Sequence, residues 1–169
     1  MDDATVADKA IRAAWDTCQV LEQRTSPEQR RLAQQRVQAA MEECGAQEVA
    51  RATILLINVL VTQLINQEGL PQEDRLDPLR DLIPAVIRKL PSFEIADPAE
   101  APMATGVLMA AAMDMNAVAW RDRYGPIPPQ EFLIHTFVLW LLADLTNSMW
   151  GQPGYTDRVI QTVLKSGPT

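Results

Sequence analysis

Residues 52–65 read Ala52-Thr-Ile-Leu-Leu-Ile-Asn-Val-Leu-Val-Thr-Gln-Leu-Ile65, with apolar side chains on every side of a helix rather than along one stripe. A helix without a polar face has to be covered on most sides. The segment around it, Gln47 to Gln67, is therefore expected to be a central rod of a helical bundle. A second stretch of this kind runs from Phe132 to Ala143, inside a helix expected over Gln130–Met149. Each apolar run falls short of the roughly 20 residues that cross a bilayer, so both read as core helices and no membrane partner is expected.

Outward from these two rods the pattern is amphipathic and helical, with strand signals nearly missing. Ala7, Ile11, Ala14, Trp15, Cys18 and Leu21 share one face of a first helix, about Asp3–Gln23. Ser26-Pro27 followed by Gln29 is a capping-box start. The second helix then runs to Cys44, with Gly45 as its stop. Asp77 caps and Pro78 opens a fourth helix carrying Leu79, Leu82, Ile83, Val86, Ile87 and Leu90, in which Pro84 predicts a kink or restart. Pro91–Pro102 reads as loop. A fifth helix, about Met103–Tyr124, is rich in small side chains, mostly Ala, and has Met103, Met109, Met113 and Met115 as gap fillers. The corner Gly125-Pro-Ile-Pro-Pro129 precedes the second rod, and Gly151-Gln-Pro-Gly154 precedes a short last helix ending near Lys165. The expectation is an all-α, single-domain bundle of six to seven helices over 1–169 with two largely buried central helices.

Composition narrows the function classes. Fifteen Lys and Arg against twenty-two Asp and Glu give a net charge of −7. Nucleic-acid binding rests on phosphate neutralisation by a basic face, so no nucleic acid is expected. The acidic excess concentrates in residues 52–100, with four basic and eight acidic side chains, including Asp74, Asp77 and Asp81. Such a rim steers a basic partner. The start of the chain carries no positive, then apolar, secretory pattern, and Cys18 and Cys44 read as buried reduced thiols. A cytoplasmic protein is the resulting expectation.

Chemistry-bearing motifs are scarce. No Gly-rich phosphate loop, nucleophile elbow, Cys-x-x-Cys pair or His-Glu-x-x-His occurs, so no cofactor and no metal is expected. His135 is the only histidine. Glu131, four residues earlier, shares its helical face, as an acid–base or ligand pair or as a hydrogen-bonded core histidine. Asp114 and Asn116 in the fifth helix, and Asp144, Asn147 and Ser148 in the sixth, are polar groups within apolar helices that need partners or water. If those helices pack together, Asp114, His135, Asp144 and Trp140 line a ligand pocket between the third, fifth and sixth helices, with Met109 and Met113. Trp120, Arg121 and Arg123 form a candidate contact patch, although cations at a helix C-terminus also serve the dipole.

The expected function is protein–protein binding by a non-catalytic helical protein: an inhibitor, adaptor or neutraliser of a basic partner that self-associates as a homodimer. The alternative is a small-molecule-binding bundle using the pocket just described. A metal-dependent enzyme using Glu131, His135, Asp114 and Asp144 ranks third.

Overall fold

In the computed structural model, which describes residues 8–21, 26–67, 70–92 and 98–166, the segment quoted above lies in one helix at the centre. The described residues form eight helices and no strand: α1 (Asp8–Leu21), α2 (Pro27–Cys44), α3 (Ala46–Ile65), α4 (Ile83–Lys89), α5 (Ala101–Ala112), α6 (Ala117–Asp122), α7 (Pro129–Trp150) and α8 (Tyr155–Ser166). The fold is all-α.

No residue of α3 from Glu48 to Ile65 is exposed. The helix is enclosed by α1, α5 and α7, with α2 and α6 closing the remaining sides. Ile54, Leu56, Ile57, Leu60 and Leu64 are fully covered, and each such side chain contributes about 1.5–3 kcal/mol by leaving water. In α7 no residue from Glu131 to Ala143 is exposed either. By length and hydropathy, α3 and α7 each match a membrane-crossing helix, yet 56% of each apolar window is buried inside the fold. Within the fold, their composition follows from what covers them.

Local chemistry sets the boundaries. Ser26 Oγ accepts the Gln29 N–H at 3.2 Å and the Gln29 side chain accepts the Ser26 N–H at 3.0 Å, completing the capping box at the start of α2. Gly45 alone joins α2 to α3 at φ +88°, a conformation L side chains rarely adopt. Before α4, Asp77 accepts from the N–H groups of Leu79 and Arg80, and Pro78–Leu82 forms one wide π turn. Pro84 has no N–H to give, so the regular α ladder begins only beyond that turn. This is the restart expected at Pro84.

The expected fifth helix is two. After Ala112 the chain breaks: Asp114 takes φ +57°, and Asn116 Oδ1 caps α6 by accepting the Ala119 N–H at 2.9 Å. Asp and Asn tolerate the left-handed region and cap helices well, and here these preferences outweigh the apolar periodicity around them. Asp114 and Asn116 therefore sit at a turn, not within a helix. The break folds α6 back on α5, and Trp120 packs against Gly106, where a Cβ would lie 2.3 Å from its ring. The ends of the expected first helix (3–7 and 22–23) and part of the expected loop (93–97) lie outside the described residues.

Candidate functional site

The corner between α6 and α7 shows what the first polar group of the long helix does. Arg121 and Glu131 are each 2% exposed. The guanidinium grips the carboxylate through two bonds, Nε to Oε1 at 2.5 Å and Nη2 to Oε2 at 2.6 Å. Its remaining donors reach the carbonyls of Gly125 at 2.8 Å and Pro126 at 3.4 Å. From α3, the Gln47 amide clips the Ile127 backbone in both directions at 2.8 Å. These bonds hold a proline-rich corner that has few backbone donors of its own.

His135 lies one turn further on, fully buried. Its Nδ1 is 3.7 Å from Glu131 Oε1, beyond hydrogen-bond reach, and neither ring nitrogen finds a partner. Burial, reinforced by the Arg121 charge, pushes its pKa down to about 3. A neutral histidine sealed from solvent is a poor acid–base catalyst. Its four-residue spacing from Glu131 is a core contact, with Glu131 committed to Arg121.

At the other end of α7 the surface opens. A cleft of about 470 Å³ lies between α1, α7 and α8. The corner Gly151–Gly154 builds it: Gly151 at φ +59° ends α7, and Asn147 Oδ1 accepts the Thr156 N–H at 2.9 Å, fixing the start of α8. α1 supplies Trp15, Cys18 and Gln19; α7 supplies Trp140, Asp144, Asn147 and Ser148; α8 supplies Asp157. Trp15 Nε1 donates to Asp157 Oδ1 at 2.8 Å. Asp144 is exposed and has no hydrogen-bond or ion-pair partner among the described residues. Among the described residues, no Lys or Arg lines the cleft. Arg158, beside Asp157 in sequence, is turned instead to Gln152 and to the Tyr155 ring.

Of the four expected ligand residues, Trp140 and Asp144 line this one cleft. Asp114 is exposed at the α5–α6 turn and His135 is enclosed in the core, so neither lines it. Met109 and Met113, expected as pocket walls, are 41% and 64% exposed. The expected contact patch is also taken apart. Arg121 is buried because Glu131 waits across the corner, Trp120 is half-buried over Gly106, and Arg123 alone is exposed. In the acidic segment, Asp74 is exposed at the surface, whereas Asp77 caps the π turn and Asp81 pairs with Arg80 at 2.9 Å. The Arg80 hydrogen bond holds the Asp81 carboxyl below its ordinary range. Trp15 and Asp157 were not among the expected site residues. They lie 142 residues apart, and on α1 the spacing of Trp15 marks only a core-facing stripe. Among the described residues, no group of three or more His, Cys, Asp or Glu converges as a metal site would require.

Compared with protein families, curated proteins and solved structures, the chain matches none.

Proposed function

We propose that this chain is a non-catalytic binding protein that receives a small molecule in the cleft between α1, α7 and α8. The meeting of two half-buried indoles, Trp15 and Trp140, with the Asp144 carboxylate, which has no partner among the described residues, on one concave surface carries the reading. A volume of about 470 Å³ is in the range of small-molecule sites. Covering the indoles removes apolar surface from water at about 25 cal/mol per Å², and the carboxylate orients what covers them. The single histidine is sealed in the core away from this cleft, which favours binding over catalysis.

A ligand that binds only the folded chain stabilises it by about 2.7 kcal/mol at a hundredfold excess over Kd. A thermal-shift panel of small cations, anions and neutral molecules, read together with tryptophan fluorescence, is expected to give at least one saturable hit that Trp140→Ala weakens. A flat panel by both readouts would overturn the reading.

A second reading, docking of a basic protein on residues 70–81, draws on exposed Glu73 and Asp74 beside Leu70 and Leu79, which are 44% and 57% exposed. A lysine-rich peptide that binds less well at high salt and to Asp74→Asn supports it; a peptide indifferent to both removes it.

A further inference from the structure

Resting on the cleft reading above, we infer that the ligand is a small organic cation, an alkylammonium or quaternary ammonium ion. Two carboxylates, Asp144 and Asp157, face the cleft, and among the described residues no Lys or Arg lines it. An anion entering it meets uncompensated like charge, and a neutral molecule leaves Asp144 unanswered. The indoles favour the same sign of charge. The Trp15 N–H is already donated to Asp157, so that side chain offers a ligand its ring rather than its donor. The negative face of an indole attracts ammonium groups within about 6 Å of its centroid. The C-terminal end of α7 adds partial negative charge beside Gly151. The N-terminal end of α8 has the opposite sign, and Asp157 in its first turn offsets it. Aromatic rings for the alkyl shell and a carboxylate for the charge are the two things an alkylammonium ion needs.

The test is a titration of the full chain, followed by tryptophan fluorescence and calorimetry, with choline and putrescine as cations. The neutral isostere of choline, 3,3-dimethylbutanol, and the anion isovalerate serve as controls. Choline or putrescine is expected to bind saturably and more weakly as salt rises. Both controls are expected to leave the signal unchanged. Asp144→Asn, at an exposed site with no partner among the described residues, should raise the cation Kd about threefold, the weight of one exposed ion pair. Asp74→Asn makes the same charge change on the remote acidic segment and should leave Kd unchanged. Equal binding of 3,3-dimethylbutanol or isovalerate, or equal losses in the two variants, overturns the cation assignment while the cleft reading stands. Binding to phosphatidylcholine vesicles without binding of free choline overturns a soluble cation in favour of a headgroup. Silence from every probe, with a flat wider panel, takes down both.

Discussion

The two ends of α7 carry similar side chains to different ends. Near its start, Glu131 and His135 are covered on all sides, and Glu131 is answered by Arg121, which also holds the carbonyls of the preceding corner. Near its finish, Asp144 is the first exposed residue after the unbroken covered run from Glu131 to Ala143, and nothing in the described chain answers it. A buried charge is tolerable only when paired and hydrogen-bonded, so the first end is committed to holding the fold. An exposed carboxylate on the wall of a cleft it shares with two indoles carries no such obligation. A polar residue within an apolar helix is informative only once its partner is known.

Four measurements test that contrast. The largest effect belongs to the closed end. Arg121→Ala strands Glu131 in the core and should cost about 3–5 kcal/mol, seen as a loss of denaturation midpoint; a change below about 1 kcal/mol would mean that the pair is wetter than its burial shows. Gly106→Ala comes next. Its new methyl meets the Trp120 ring, and overpacking of this kind costs about 1–3 kcal/mol, so a neutral outcome would show that α6 is free to shift away from α5.

The third is a pH dependence. With its folded pKa pushed down to about 3 from an ordinary value of 6.5, His135 takes up a proton far more readily in the unfolded chain. Its contribution to stability is therefore present in full above pH 6.5 and is lost as the pH falls toward 3. Between pH 7 and 5.5, where few carboxylates titrate, this amounts to about 1 kcal/mol. His135→Leu should lose that slope and be no less stable at pH 7, because it removes two buried nitrogens without partners. A slope that persists in the variant assigns the effect to other groups. The smallest effect belongs to the open end: Asp144→Asn should change stability by less than about 0.5 kcal/mol, as surface substitutions usually do. A larger loss would make Asp144 a hidden structural residue and erase the contrast.

Much of the fold was legible because its signals are local. The capping box at Ser26, the stop at Gly45, the restart at Pro84 and the two rods each depend on residues within a few positions of one another. The α5–α6 break was legible in principle, since Asp114 and Asn116 are turn and cap residues, but the alanines and methionines on both sides keep a helical period that masks it. In sequence Arg121 reads as part of a contact patch or as a cation at a helix end, because nothing nearby reveals Glu131 on the far side of the proline corner. The cleft was half legible: the polarity of Asp144 within an apolar helix marked it, while its other wall depends on α1 meeting α8 from opposite ends of the chain.

The place of α3 in the chain has a consequence for synthesis. This enclosed helix is complete at Ile65, yet α7, one of its main covers, begins at Pro129. At about 5–20 residues per second, a twenty-residue greasy segment waits on the order of ten seconds beside the ribosome before its shelter exists. Nascent chains halted short of Pro129 should therefore recruit holdase chaperones and aggregate when released, whereas those carrying α7 should be relieved of both.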